Sequence, residues 1–210
     1  IALADRSGLV FQIGFVERFN PAVVALGQVI GRPLFIESHR LHPFFERGTD
    51  VDVILDLMVH DLDIILHFVD SPLEDIDAVG TAVLSDKVDI ANARLRFRNG
   101  CAANVTASRI SVKTMQKIRF FGLEGYHAVD FAKRDLLSLQ RVKKAEGQIE
   151  IIQNQIEILQ KDPLEQEIRT FVDAIVQGTP TPVPASEGRR VLEVALQIVN
   201  EIKSSQEKLS

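Results

Sequence analysis

Imidazoles and carboxylates recur at helical spacing in the stretch Val53 to Asp70, VILDLMVHDLDIILHFVD. On a helix turning 100° per residue, Asp56, His60, Asp63, His67 and Asp70 project within one arc of roughly 80°, and of the polar residues only Asp61 falls elsewhere. Nearly everything between them is apolar, so the helix is expected to be buried, where such groups are costly unless paired or put to use. Side chains of these types can handle protons, hold a buried ion pair that fixes the helix, or ligate a metal. A single helix rarely supplies four converging ligands, and no second His-rich or carboxylate-rich stretch is evident, so no metal is expected. Asp63 either serves a site or orients nearby backbone or a helix end, and His67 reads as a satisfied core histidine near the helix end.

The rest of the chain must build a scaffold around that helix. Its 210 residues suffice for one good core and part of a second, and its apolar and charged fractions, 46% and 25%, are those of an ordinary globular protein. A net charge of -5 with scattered Lys and Arg offers no basic stripe, which argues against nucleic acid as a partner. No uncharged apolar run is long enough to cross a bilayer. The single cysteine, Cys101, forbids an internal disulfide framework and fits a reducing, cytoplasmic compartment; its neighbours Ala102 and Ala103 suggest a buried strand position. The chain opens on Ile1 with no Met and no positively charged leader, so a piece of a longer protein is expected.

Taken in order, Ile1 to Arg6 reads as the tail of a helix closed by Ser7-Gly8, and Leu9 to Phe15 as a short buried strand. Asn20 caps a helix with Pro21 at its first position, running to Gly31. Leu34 to His42 is strand-like, and Phe44 to Asp52 is a loop carrying Glu46, Arg47 and Gly48. After the polar-striped helix, stopped by Ser71-Pro72, strands are expected at Asp77 to Leu84, Asp89 to Arg98 and Cys101 to Arg109. The Asn99-Gly100 dipeptide between the last two is the strongest hairpin signal in the chain. Further strands follow at Lys117 to Phe121, Tyr126 to Phe131, Leu136 to Arg141 and Gln148 to Leu159, the last with one wet and one dry face. Two amphipathic helices, Pro163 to Gln177 capped by Gly178 and one starting at Ser186-Glu187, close an α+β fold: an open, mostly antiparallel sheet with helices covering one face. Because Leu95, Phe97, Val105, Ile118 and Phe120 are not expected to share one side, the second face is expected to be buried in a homo-oligomer.

Five stretches in order carry a resemblance: Arg18-Phe19-Asn20-Pro21; the D-x-x-x-H-x-x-D of Asp56, His60 and Asp63; Phe97-Arg98-Asn99-Gly100; Gly122-Leu123-Glu124-Gly125; and Gly178 to Arg189 with its Pro182-Val183 and Glu187-Gly188-Arg189. With them the chain resembles the C-terminal domain of the glucose-fructose oxidoreductase and inositol dehydrogenase (Gfo/Idh/MocA) family. The resemblance implies an oxidoreductase moving hydride between NAD or NADP and a sugar, cyclitol or nucleotide sugar, with His60 as general acid or base and Asp56 orienting the hydroxyls or the imidazole. The chemistry suits those residues, since hydride leaves carbon readily only if a base takes the hydroxyl proton. Arg18, Arg40, Arg47 and Arg109 are candidates to meet a nucleotide-sugar diphosphate, Asp63 a further substrate contact, and the alternative for each arginine is a solvated surface role. The family's Gly-x-Gly-x-x-Gly dinucleotide fingerprint and its Glu-Lys-Pro segment are absent here, and Gly48-Thr49-Asp50-Val51-Asp52 replaces the glycine-rich lead-in to the catalytic helix. By the resemblance, residues 1–16 are the end of a missing dinucleotide-binding domain, residues 17–210 form the substrate-binding and oligomerisation domain, and the chain alone is inactive. The rival reading is a non-enzymatic sugar-binding or assembly module.

Overall fold

The computed structural model describes residues 1–45, 48–144 and 148–207. Local signals set many of its elements. After α1 (Ala2–Ser7), whose C-cap Gly8 takes φ 63°, the chain makes a 3-10 turn (Val16–Phe19) and enters α2 (Pro21–Leu26). The Asn20 side chain accepts from the Ala22 amide there, and Pro21 gives up an amide that would have had no partner. This helix stops at Gly27, a turn short of the expected Gly31. A π turn (Ile54–Met58) and α3 (Val59–Phe68) form the polar-striped helix. The chain ends in α4 (Pro163–Gln177), capped by Asp162 and by Gly178 at φ 65°, and α5 (Ala185–Glu207).

Among the described residues eight strands make one sheet: β1 (Pro33–Leu41), β2 (Leu73–Thr81), β3 (Ile90–Phe97), β4 (Ala102–Ser108), β5 (Met115–Gly122), β6 (Gly125–Asp130), β7 (Asp135–Lys143) and β8 (Ile149–Gln153), in the order β2-β3-β4-β1-β5-β6-β7-β8. All neighbours are antiparallel except β1 and β4. The fold is therefore the α+β class read from the sequence, and the β3–β4 hairpin turns at Asn99-Gly100, where Gly100 adopts φ 87° at no steric cost.

The core lies between the sheet and α3 and α5. Ala91, Ala93, Leu95 and Phe97 of β3, Ala103, Val105 and Ala107 of β4, Ile36 of β1, and Ile118 and Phe120 of β5 are all buried there. Leu95, Phe97, Val105, Ile118 and Phe120 do share one side, contrary to expectation, because the register sets their rows level: Leu95 faces Ala103, Ser38 lies between Val105 and Ile118, and Ile36 faces Phe120. The argument that they demanded a second buried face therefore falls. The opposite face is polar along β2, β3 and β4, where Asn92 donates to Thr106 at 2.8 Å, Arg94 to Asn104 at 3.3 Å, and Arg96 pairs with Asp75. Farther along it, Phe35, Phe121 and Tyr126 stack with ring centroids 5.7 and 5.0 Å apart.

Three expected strands differ, the first being β2, which runs Leu73–Thr81 rather than Asp77 to Leu84. Leu9 to Phe15 makes only an isolated bridge from Gln12 to Pro184, and Leu9 and Phe11 are exposed. β8 stops at Gln153, where the Asn154 amide turns to the Ser138 carbonyl; its Ile149, Ile151 and Ile152 are exposed at the sheet edge, while Ile156 and Ile158 pack against the core. Cys101 is buried as expected, which pushes its thiol up to about 11. Among the described residues no helix is long and apolar enough to cross a membrane.

Candidate active site

The site grows from the join between the π turn and α3. A π turn holds more than the ordinary number of residues, so it breaks the phase that a uniform helical reading assigns to Asp56 and His60. The Asp56 carboxylate lies against Gly48: a Cβ built on that glycine, which sits at φ 76°, would stand 3.0 Å from Asp56 Oδ2. His60, in the first turn of α3, is half-buried and meets the ring of Phe15 edge-on at 6.5 Å. Its Nδ1 is sealed from solvent without a hydrogen-bond partner among the described residues. Burial, followed by the charge of Arg40, lowers its pKa; Asp61, Glu17 and Asp56 pull the other way without reversing it. The imidazole is therefore held neutral near physiological pH, in the form that accepts a proton.

Asp61 and Asp63 leave the helix on opposite sides, each without solvent exposure. Arg40, reaching in from β1, donates through Nε to Asp61 Oδ2 and through Nη2 to Oδ1, both at 3.1 Å, while its Nη1 donates to Glu17 at 3.2 Å. Its guanidinium also stands 5.0 Å from the Phe131 ring centre. Arg18, from the 3-10 turn, donates through Nε and Nη2 to Asp63 at 2.7 and 2.8 Å, through Nη2 to Glu187 of α5 at 2.6 Å, and through Nη1 to His67 Nδ1 at 2.6 Å. Burial pushes the Asp63 carboxyl up to about 6 against the opposing pull of Arg18. His67 is exposed at the end of α3 rather than in the core, because Arg18 draws its ring to the rim of a cavity of about 210 Å³ lined also by Asp70, Glu187 and Arg190.

Of the residues singled out in the sequence, the structure brings Asp56 and His60 into one electrostatic neighbourhood without a direct hydrogen bond, and it joins Arg18 to Asp63. Arg18, Arg40 and Arg109 have side chains 1–6% exposed, and each planar fork is anchored on a buried aspartate (Asp63, Asp61 and Asp89), so none is the solvated surface arginine that was the alternative. Arg47 lies outside the described residues. Asp56, His60, Asp63 and His67 do not converge, and no group of three or more His, Cys, Asp or Glu side chains able to hold a metal ion occurs among the described residues. Sequence reasoning missed Glu17, Asp61, Asp89 and Glu187 as partners of these arginines. The available signal was a rule of pairing: a carboxylate on an all-apolar helix, such as Asp61, requires a buried cation.

Fold and site together define a class, an α+β domain that presents a neutral imidazole on a buried helix whose rotation is fixed by two arginine–aspartate pairs. Residues 25–128 match the model of the GFO/IDH/MocA C-terminal domain. The chain is 36% identical over 200 residues to a UDP-N-acetylglucosamine 3-dehydrogenase of Acidithiobacillus ferrooxidans, covering 94% of this chain and 64% of that protein. A crystal structure of UDP-N-acetylglucosamine 3-dehydrogenase from the same organism superposes with a TM-score of 0.86 at 35% identity, over 97% of this chain and 66% of that one. A levoglucosan dehydrogenase solved with NADH and L-sorbose shares the fold at 17% identity, with a TM-score of 0.75 over 93% of this chain and 64% of that one. The chain belongs to the GFO/IDH/MocA family, as a carrier of its C-terminal domain, and spans 64% of the length of the curated relative it matches at 36% identity.

Proposed function

We propose that the intact protein is an NAD- or NADP-dependent oxidoreductase that moves a hydride to or from a hydroxyl-bearing carbon of a sugar, cyclitol or nucleotide sugar. The observation that carries this reading is His60: a half-buried imidazole, kept neutral by burial and by Arg40, with Asp56 close by on the same helix. A neutral imidazole is the form that takes a hydroxyl proton as carbon gives up hydride; the imidazolium returns it in the reverse direction. The 36% identity to a UDP-N-acetylglucosamine 3-dehydrogenase favours a nucleotide sugar. The donor set of this chain fits the proton half of the reaction. It has no glycine-rich phosphate cradle, so the dinucleotide would be bound mainly by the remainder of the protein, where its nicotinamide supplies or accepts the hydride.

On this reading residues 1–16 end a dinucleotide-binding domain, residues 17–210 form the substrate-binding and oligomerisation domain, and the chain alone does not turn over. Asp56 orients substrate hydroxyls rather than the imidazole, since no hydrogen bond joins the two among the described residues. Arg18, Arg40 and Asp63 act on substrate through the helix they hold, and Arg47 remains the arginine proposed to contact it. The half-buried aromatic row of Phe35, Phe121 and Tyr126 on the open sheet face favours a second copy against it, and the single buried cysteine favours a cytoplasmic setting. The test is reduction of NAD or NADP by intact protein given UDP-N-acetylglucosamine, other nucleotide sugars and free sugars. Turnover with at least one is expected, with His60→Ala lowering kcat at least a hundredfold while the fold persists. An unchanged rate in that variant would dispose of the role of His60, and a monomer in sedimentation at micromolar concentration would dispose of the self-assembly.

A further inference from the structure

Among the described residues the largest fully buried side chain is that of Arg109, just past the end of β4, and the active-site helix makes no use of it directly. Its Nε donates to Asp89 Oδ1 at 2.8 Å, its Nη2 to Ser85 Oγ at 3.1 Å, and its Nη1 to two backbone carbonyls at once, Gly48 at 2.7 Å and Val51 at 2.9 Å. Asp89 is held as firmly from its other side. Its Oδ2 accepts from the amides of Val83, Leu84 and Ser85 at 2.7 to 2.9 Å, and its Oδ1 also accepts from the Ser85 hydroxyl at 2.7 Å. Two further bonds stitch the same segments together. The Val88 amide donates to Asp52 Oδ1 at 3.0 Å, and the Val53 amide donates to the Val88 carbonyl at 2.9 Å.

The two carbonyls that Arg109 grips belong to the segment that leads into the π turn. Gly48, one of them, lies so near the Asp56 carboxylate that a Cβ built on it would stand 3.0 Å from Oδ2. A fork with five donors in one plane fixes direction as well as distance, which an ammonium on a flexible stem does not. A buried ion pair adds little net stability over an apolar replacement, so the expense of this one points to specificity of geometry.

We propose that Arg109, oriented by Asp89, is a positioning residue for substrate binding: it pins the carbonyls of Gly48 and Val51, and through Gly48 sets where Asp56 stands beside His60. The inference rests on the proposed dehydrogenase reading for its kinetic consequence, and on geometry alone for its structural one. Positioning of a substrate contact, without a part in proton transfer, moves KM and leaves the titration of His60 in place.

The test uses intact protein carrying Arg109→Lys, which keeps the charge opposite Asp89 but loses the fork. The expected result is a KM for the nucleotide sugar raised tenfold or more, with kcat and the pH midpoint of kcat/KM within threefold and half a pH unit of the parent. Amide hydrogen exchange at residues 48–53 is expected to quicken at least tenfold, with exchange in β3 and β4 unchanged. Should Arg109→Lys fail to fold, Ser85→Ala removes one hydroxyl from the same network, and a smaller change of the same pattern is expected. Unchanged KM with unchanged exchange at 48–53 would overturn the proposal, as would a loss of kcat that tracks the folded fraction at constant KM. If the parent protein oxidises no sugar at all, the dehydrogenase reading fails, and the exchange measurement still decides whether Arg109 pins the segment.

Discussion

Replacing Arg40 with Met is the perturbation that discriminates most sharply, because its effects on stability and on acid–base behaviour have independent magnitudes. The Arg40 side chain is 6% exposed and that of Asp61 0%, with two hydrogen bonds of 3.1 Å between them. Removing the guanidinium leaves a carboxylate sealed without its cation, a change that costs about 3–5 kcal/mol. Removing Asp61 alone, as Leu, costs less, because Arg40 keeps Glu17 at 3.2 Å and the Phe131 ring face. The double variant Arg40→Met with Asp61→Leu buries no charge at this place, and is expected to be more stable than either single variant. Denaturant titration of the four proteins measures the coupling. The second magnitude concerns His60. After burial, the charge of Arg40 is the main influence lowering its pKa, while Asp61, Glu17 and Asp56 raise it. Deleting Arg40 removes a lowering influence and leaves the carboxylates, so the His60 pKa rises. With His60 as the proposed base, oxidation of a hydroxyl needs the unprotonated ring, and the rate is expected to be lost as pH falls through that pKa. The acid limb of kcat/KM is therefore expected at higher pH in Arg40→Met. A cost below about 1 kcal/mol, or additive single effects, would refute the buried pair; an unmoved acid limb would refute the electrostatic link to His60.

Gly48→Ala places a side chain where φ is 76° and where the Cβ would stand 3.0 Å from Asp56 Oδ2. Left-handed backbone costs about 1–2 kcal/mol for a residue with a Cβ, and the displaced carboxylate is expected to lower kcat/KM tenfold or more in steady-state assays; a variant of parental activity would show that Asp56 does not need that position. Asp89 tests the pH dependence of the fold. Burial alone would push its carboxyl up, but the hydrogen bonds from Ser85, the Val83 amide, Arg109 and the Leu84 amide outweigh burial and hold it far below its ordinary 3.8. A depressed pKa contributes stability that is present above 3.8 and fades as pH falls below it. Asp89→Asn is expected to cost about 3 kcal/mol at neutral pH, with the gap to the parent closing in denaturation curves taken under acid; a gap independent of pH would contradict the assignment.

What could be read from the sequence was whatever a few neighbouring residues decide. Asn20 with Pro21 marks a helix start, Asn99-Gly100 a hairpin, and Pro163 with Gly178 the two ends of α4, because each acts on backbone groups within a turn of itself. The polar stripe of the central helix was legible for the same reason. The π turn was not, since periodicity assumes one angle per residue throughout. Nor was the assignment of sheet faces, which depends on register between strands far apart in the chain: Ile36 meets Phe120, and Ser38 meets both Val105 and Ile118. The arginines illustrate the limit most plainly. Arg18 meets Asp63 across 45 residues, Arg40 meets Asp61 across 21 and Arg109 meets Asp89 across 20; the apolar helix signals that Asp61 needs a cation, but nothing local to any of the six says which residue is its partner.

Those pairs also divide the labour along the helix. Asp61 and Asp63 are two residues apart, so they point to nearly opposite sides of α3, and each is gripped in a fork from an arginine that precedes the helix in the chain. A helix packed only by Leu62, Ile64, Ile65 and Leu66 could rotate by part of a turn and still bury comparable apolar area, since those side chains are similar in size. Two bidentate bonds on opposite sides leave no such freedom, because any rotation breaks both. On the proposed role of His60, what the ion pairs contribute is the angle at which α3 presents that ring, and this is why the double variant lacking Arg40 and Asp61 is expected to keep its stability while losing kcat/KM. A double variant with parental kcat/KM would show that apolar packing alone sets the rotation.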